Sequence, residues 1–189
     1  RYSLLSNVSG SANTSLGLSS LIVNTTGNNN TALGHVSLNS NITGSNNTAV
    51  GTNCLFSNTA SNNTAVGFEA GFSNTSGTEI TAVGFRALKN STALYNTAVG
   101  YAAGNVVTTG IQNTLIGGLA GDALQDADYN TAIGYQTLSA DTLGSRSTAV
   151  GFQALANQNF TTATNSYNTA MGHGAGGAVT TGVNNTIMG

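Results

Sequence analysis

The sequence predicts an all-β protein, a parallel β-solenoid (β-roll or β-helix) of about eleven coils with two short strands per coil. The first observation behind this prediction is a five-residue phrase, most often Asn-Thr-Ala-Val-Gly, that recurs from Asn13 to Gly189. The second is its spacing, because the closing glycines lie 16 or 17 residues apart except for one interval of 21. A fixed period makes the repeat, rather than the chain length, the structural unit.

The phrase has the composition of a β-strand. Threonine is second in every copy, and Val, Leu, Ile or Met is fourth. The eleven copies occupy residues 13–17, 30–34, 47–51, 63–67, 80–84, 96–100, 113–117, 130–134, 147–151, 168–172 and 185–189. β-Branched residues favour strands, and interior glycines in each period disfavour a helix.

The remainder of each period predicts the corners of a coil. A small residue stands three places after the closing glycine, Leu or Gly follows it, and a second polar phrase often ends in glycine, as in Asn24-Thr25-Thr26-Gly27. Glycine adopts the positive φ that tight turns require. With stacked strands about 4.8 Å apart, we expect a rod roughly 50 Å long. The long interval predicts a loop that bulges from the stack around residues 157–167.

We assign residues 13–189 to the solenoid and residues 1–12 to an N-terminal strand or linker outside the repeat register. Side chains alternate along a strand, so the Thr and aliphatic columns share one face and the Ala column lies on the other. If the aliphatic column fills the interior, Thr lies beside it and Ala faces outward; the assignment inverts if Ala faces inward. The first alternative gives a repeat core of Thr48, Val50, Thr64, Val66, Thr81, Val83, Thr97, Val99, Ile116, Ile133 and Val150.

Composition argues against several partners. Charged residues make up only 5% of the chain, with four basic and six acidic side chains. No basic stripe is therefore available for the phosphates of nucleic acid or of an anionic membrane. No apolar run approaches the roughly twenty residues of a membrane helix, so we expect no membrane insertion.

No residue pattern predicts catalysis, a cofactor or a metal. The sequence has no recognisable Ser/His/carboxylate motif, no Cys/His cluster with zinc spacing and no phosphate-binding loop. His35 and His173 stand directly after a closing glycine, where other copies carry Phe or Tyr, and Cys54 occupies the small position. We expect packing roles for these three residues and predict that the chain is not an enzyme.

The most acidic segment contains Asp122, Asp126 and Asp128. Three carboxylates on one loop could hold Ca²⁺, but their spacing matches neither an EF-hand nor the nonapeptide calcium repeat. This mismatch favours a solvated acidic corner.

Asparagine followed closely by Ser or Thr is abundant, and it has two interpretations. In the structural one, Asn and Thr form side-chain ladders and cap turns. In the other, the rod is a glycoprotein, with Asn24, Asn41, Asn58 and Asn74 as possible N-glycosylation sites because they lie near predicted turns.

The Asn-Thr-Ala-Val-Gly phrase, with its small residue three places after the glycine and a return rich in Gly, Ser and Asn, resembles the head repeats of trimeric autotransporter adhesins. It is similar also to repeats in phage and viral tail-fibre proteins. The resemblance covers residues 13–189 and implies a left-handed parallel β-roll, commonly three chains side by side, that serves as a surface-exposed adhesive or spacing rod. The period is longer than in the adhesin repeats, and Thr stands where Val is common there.

We therefore expect a structural subunit of an extracellular fibre or filament, on a cell-surface appendage or a virion. Its expected partner is itself, stacked end to end or side by side as a trimer, with glycans or a host surface as further partners. The predicted inter-subunit strand contains Tyr2, Leu4, Leu5 and Val8, and would pair with the final coil of a neighbour. The alternative is an ice-binding (antifreeze-like) solenoid, which would need two outward Thr columns where this chain has one regular column.

Overall fold

The computed structural model describes residues 2–189, and no helix occurs among them. Each repeated phrase contributes one three-residue strand that begins at its threonine. The strands are β1 (Thr14–Leu16), β2 (Thr31–Leu33), β3 (Thr48–Val50), β4 (Thr64–Val66), β5 (Thr81–Val83), β6 (Thr97–Val99), β7 (Thr114–Ile116), β8 (Thr131–Ile133), β10 (Thr148–Val150), β12 (Thr169–Met171) and β13 (Thr186–Met188). Two shorter strands, β9 (Gly144–Ser145) and β11 (Thr164–Asn165), lie in the return halves of two coils.

The eleven longer strands form one parallel sheet in chain order, which confirms the predicted solenoid. The strands are in register, so that Thr97 pairs with Thr114 and Val99 with Ile116. The expected second strand in every coil is present only where β9 pairs with β11. Elsewhere among the described residues the return half consists of turns and bends.

The turns are nevertheless hydrogen-bonded from coil to coil. In the third coil, Asn53, Leu55 and Asn62 have φ of 57°, 48° and 64°, which is the left-handed region that residues other than glycine seldom adopt. Each donates its backbone N–H to a neighbouring coil, at 3.0 Å to His35 O, 3.0 Å to Ala70 O and 2.9 Å to Ser45 O respectively. The same three positions recur along the chain, so the strained backbone is held by the stack.

The interior is lined by the Ala column, and the first of the two predicted assignments of the faces is wrong. Ala49, Ala82 and Ala98 have no exposed surface, whereas the Thr and aliphatic residues on either side are half-buried or exposed. The predicted core residues that lie on the outside are Thr48, Val50, Thr64, Val66, Thr81, Val83, Thr97, Val99, Ile116, Ile133 and Val150. The reason is volume, because the narrow coil already holds a Leu column opposite the strand.

Large and small residues complement one another within this interior. Most coils place a buried Leu four residues after the closing glycine, but the sixth and seventh place Gly104 and Gly121 there. A Cβ on Gly104 would lie 2.7 Å from Cδ1 of Leu115, and one on Gly121 would lie 2.7 Å from Cδ1 of Leu124. Leu115 stands in the Ala column and therefore fills the space that the two glycines leave.

We predicted that the N-terminal segment lies outside the repeat register, but its described residues stack on the first coil in register. Leu4 lies 17 residues before Leu21 and packs against the core, while the backbone N–H groups of Leu4 and Val8 donate to Ser20 O and Thr25 O at 3.1 and 3.0 Å. Tyr2, Leu5 and Val8 are more than half exposed. The segment predicted to pair with another subunit is thus already hydrogen-bonded to the first coil along one edge. Whether its other edge pairs with a second copy stays a prediction.

The long interval forms a bulging loop, as predicted. Thr161, Thr162 and Ala163 are exposed at its tip, while Gln158 and Phe160 are buried and attach it to the stack.

Gly100→Ala is expected to lower the free energy of unfolding by about 3 kcal/mol or more. Gly100 has φ of 143°, and a Cβ there would overlap the carbonyl group of Gly117 in the next coil. Urea unfolding followed by circular dichroism measures the change. The control is Gly118→Ala, whose Cβ would meet only the Tyr135 ring, at 3.3 Å, and should cost less than about 1 kcal/mol. Equal effects of the two substitutions would contradict the close coil-to-coil approach.

Candidate functional site: the outer face of the sheet

The outer face of the eleven-stranded sheet carries two columns of side chains, one of threonine and one of aliphatic residues. Seven of the aliphatic side chains have between 37% and 69% of their surface exposed, namely Leu16, Leu33, Val66, Ile116, Ile133, Met171 and Met188. Because the strands are paired in register, chemically similar groups repeat at the strand spacing of about 4.8 Å. The outer face is therefore a regular, uncharged and largely apolar surface.

The threonine hydroxyls of this face have no protein partner among the described residues. Threonines that do bond through their hydroxyls lie in the return half, where Thr25, Thr59 and Thr108 donate to carbonyls of the following coil. The outer hydroxyls are therefore free to bond to water or to another molecule.

Aromatic residues that follow the closing glycines extend this surface. The rings of Phe68, Phe85 and Tyr101 stack with centroids 5.4 Å apart in each pair. A second stack contains Tyr135, Phe152 and His173, with His173 4.9 Å from Phe152. The predicted packing role is thereby confirmed for His173; His35 occupies the equivalent position, and both histidines are exposed.

One charged cluster borders the first aromatic stack. Glu69 bonds to Arg86 Nε at 2.8 Å and to Lys89 Nζ at 2.9 Å, and the Arg86 guanidinium lies 5.0 Å from the Phe85 ring centroid. The hydrogen bond from Lys89, followed by that from Arg86, lowers the pKa of the Glu69 carboxyl. These are the only ion pairs among residues 2–189, and because two cations share one carboxylate the cluster keeps a single positive charge.

The acidic segment does not assemble a calcium site. Asp126 accepts a hydrogen bond from Thr109 Oγ1 at 2.7 Å and Asp128 accepts one from the Ile111 N–H at 2.8 Å, both in the preceding coil. Burial raises the pKa of Asp122. The described residues contain no group of three or more His, Cys, Asp or Glu side chains placed to hold a metal ion.

Cys54 is a buried packing residue, as predicted. It has no exposed surface and lies in the small column between Ser37 and Ala70. Desolvation raises the pKa of its thiol to about 12, which keeps the sulfur protonated and unreactive at neutral pH.

The proposed glycosylation sites are wrong, because Asn24, Asn41, Asn58 and Asn74 have no exposed surface. They bond in pairs inside the stack: Asn41 Nδ2 donates to Asn24 Oδ1 and to Gly44 O, both at 2.9 Å, and Asn74 Nδ2 donates to Asn58 Oδ1 at 2.8 Å. Asn58 also lacks the hydroxyl residue that a glycosylation signal requires, since Ala60 stands two places after it. Nearness to a turn did not imply exposure here, and the structural interpretation of these asparagines is the correct one.

A buried carboxylate occupies the same column further along. Asp141 has no exposed surface and accepts hydrogen bonds from Gln158 Nε2 at 2.6 Å, from the Phe160 N–H at 3.0 Å and from the Gly144 N–H at 3.1 Å. Desolvation raises the pKa of Asp141 despite these bonds. The sequence placed Asp141 in the return phrase, but its burial follows only from the three-dimensional register of the coils.

Asp141→Asn is expected to match the parent chain at acidic pH and to be more stable at pH 7. Because the folded-state pKa of Asp141 is raised, the folded protein favours the protonated carboxyl. The contribution of Asp141 to the free energy of unfolding is therefore fully present below the ordinary pKa of 3.8, and it is lost as the pH rises through the folded-state pKa. Thermal unfolding of both chains across this pH range tests the difference.

The converse variant, Asn74→Asp, supplies the matched control because Asn74 is equally buried and bonds to Gly77 O and to Asn58 Oδ1. It should be destabilised most at neutral pH. A constant stability difference at every pH, for either variant, would contradict a buried charge in this column.

Comparisons of the chain with protein-family models, with curated proteins and with solved structures find no match. The resemblance to adhesin and tail-fibre repeats therefore stays a prediction. Residues 2–189 contain no helix that is long and apolar enough to cross a membrane. No concave pocket is found among these residues.

Proposed function

We propose that the chain is a structural rod, a subunit of an extracellular fibre or filament of the adhesin or tail-fibre kind. The observation that supports this most is the single in-register ladder of eleven parallel strands, which extends the molecule along one axis. A ladder of this type has no intrinsic length, because each coil makes the same bonds to its two neighbours. Such a ladder therefore gives a long molecule whose surface repeats from coil to coil.

Axial growth uses the edge of the stack. Backbone N–H and C=O groups of the strands bond along the axis, as in the 2.8 Å bonds from Thr97 to Asn113 O and from Thr114 to Asn130 O. Any terminal coil presents the same groups without a partner, and a further coil, of this chain or of a second copy, satisfies them by strand addition. The N-terminal half-coil, with Leu4 in the Leu column, has the register needed for such stacking.

Lateral association uses the outer face. A monomer seldom exposes a long apolar surface without covering it. Eleven strands at about 4.8 Å and three residues per strand give roughly 500 Å², and the aromatic column brings this close to the ~800 Å² per partner of a stable interface. The occupant that fits best is a second copy, because an uncharged surface repeating at the strand spacing is complementary to itself. The resemblance to adhesin and tail-fibre repeats favours a cell surface or a virion as the location.

Replacing both Val83 and Val99 by Lys is expected to abolish lateral association without unfolding the chain. Both side chains lie on the outer face, where a lysine stays in solvent in the monomer but would be buried between copies. Sedimentation velocity at increasing protein concentration measures the effect, and circular dichroism checks the fold.

The matched control is Gln125→Lys, on an exposed return corner, which should associate as the parent chain does. A parent chain that remains monomeric at every concentration, with no rods of greater width in electron micrographs, would refute lateral assembly.

Ice binding is the second candidate, because the structure turns the threonine hydroxyls outward. One free hydroxyl and one aliphatic group per strand form a regular array that could hold ordered water. The face carries a single Thr column, with aliphatic residues in place of a second one, and self-association explains that aliphatic column better. Thermal hysteresis in the parent chain that is lost in Thr97→Tyr would favour ice binding, and no hysteresis at millimolar concentration would eliminate it.

A further inference from the structure

A second set of asparagines combines the glycosylation signal with exposure. In Asn29-Asn30-Thr31, Asn46-Asn47-Thr48 and Asn62-Asn63-Thr64, the first asparagine stands two residues before an outward threonine. Asn29, Asn46 and Asn62 are exposed, whereas the asparagine that follows each of them is buried. The same arrangement recurs at Asn184-Asn185-Thr186. These signals overlap the strand phrase and lie at the corner where each coil enters its strand.

The hydrogen bonding of these side chains leaves one amide hydrogen free. Asn29 Nδ2 donates to Asn46 Oδ1 at 3.3 Å, and Asn46 Nδ2 donates to Asn62 Oδ1 at 3.0 Å. Asn29 and Asn46 thus each use one N–H along the stack, while the Asn62 side chain accepts a bond and donates none. By contrast, the buried Asn24 uses both hydrogens, bonding to Asn7 Oδ1 at 2.9 Å and Gly27 O at 3.1 Å.

The rest of the signal is also accessible. Asn29, Asn46 and Asn62 have φ of 56°, 60° and 64°, so each lies at a sharp turn of the backbone, and all three are exposed. The threonine two residues on lies on the outer face, and its hydroxyl has no protein partner among the described residues. An N-glycosylation acceptor needs this hydroxyl on an exposed segment.

We propose that Asn29, Asn46, Asn62 and Asn184 form a column of N-glycan acceptor sites. The co-reactant is an oligosaccharide carried as its polyprenyl pyrophosphate. Nδ2 attacks the anomeric carbon, a C–N bond forms as the C–O bond to pyrophosphate breaks, the lipid pyrophosphate leaves and the amide loses one proton. At Asn29 and Asn46 the amide N–H that remains is the one that the ladder bond uses, and at Asn62 the side chain only accepts a bond, so the glycan is compatible with the stack.

The coil spacing limits how many sites one molecule fills. Asn29, Asn46 and Asn62 lie on successive coils about 4.8 Å apart, which is less than the width of a sugar ring with its hydration. Asn29 and Asn62 are two coils apart, roughly twice that distance. We therefore expect one molecule to carry glycans on both Asn29 and Asn62, and Asn46 to be glycosylated mainly in molecules in which neither Asn29 nor Asn62 carries a glycan.

Secretion of the chain from a eukaryotic host that performs N-glycosylation tests the proposal. Occupancy is read by peptide mass spectrometry after enzymatic deglycosylation in heavy-oxygen water, on secreted material or, if the chain is retained, on the intracellular chain. Glycans are expected at Asn29 and Asn62. The interior signals at Asn24, Asn41 and Asn74 should be bare in folded protein, and they provide internal controls in the same chain.

Thr64→Val removes the hydroxyl but keeps the shape of the outer face, so it should abolish occupancy at Asn62 only, and Thr64→Ser should restore it. Bare Asn29 and Asn62 would overturn the proposal, as would glycans on the interior asparagines of folded chains. Neither result bears on whether the rod assembles, because self-association is measured on the unglycosylated chain.

Discussion

The backbone hydrogen bonds that run from coil to coil are the constraint on which the whole structure depends. A coil of about 17 residues encloses too little volume for a conventional hydrophobic core. Order comes instead from satisfying the backbone along the axis, in the three-residue strands and in the turns alike. The closing glycines follow from this constraint, because successive coils approach so closely there that a Cβ on Gly100 would overlap the carbonyl group of Gly117.

Buried asparagine side chains add further hydrogen bonds between the coils. Asn113 accepts the N–H of Asn130 at 2.9 Å on one side and donates across its own coil to Ala127 O at 2.7 Å. One side chain thereby bonds to the neighbouring coil and closes its own. The interior therefore contains 19 buried polar or charged residues beside 29 hydrophobic ones, and almost all of their side-chain polar atoms are bonded, which explains why a chain with so many buried asparagines folds. Where Asp141 replaces an asparagine, the same geometry buries a carboxyl group, and stability becomes dependent on pH.

The period and the strands could be predicted from the sequence, but the direction in which the strands face could not. The alternation of side chains along a strand places Thr97 and Val99 on the same face of the sheet, but it does not determine whether that face points inward or outward. A signal was present in the volumes: the Ala column enlarges to Leu115 and Ile187 where neighbouring coils carry Gly121 and Gly176. The burial of Asn24 and Asn41 could not be inferred in the same way, because a polar interior is seen only once the coils are stacked.

The proposed function depends on the outer face of the sheet, and therefore on the Thr and aliphatic columns pointing away from the interior. The most direct measurement is the labelling rate of single cysteines placed at Thr97, Ala98 and Val99 in a Cys54→Ala chain, at a dilution where sedimentation shows monomer. Cysteines at 97 and 99 should react rapidly, and one at 98 should react at least about a hundredfold more slowly, because reaction requires opening of the stack. Rapid reaction at 98 together with protection at 97 and 99 would contradict the account.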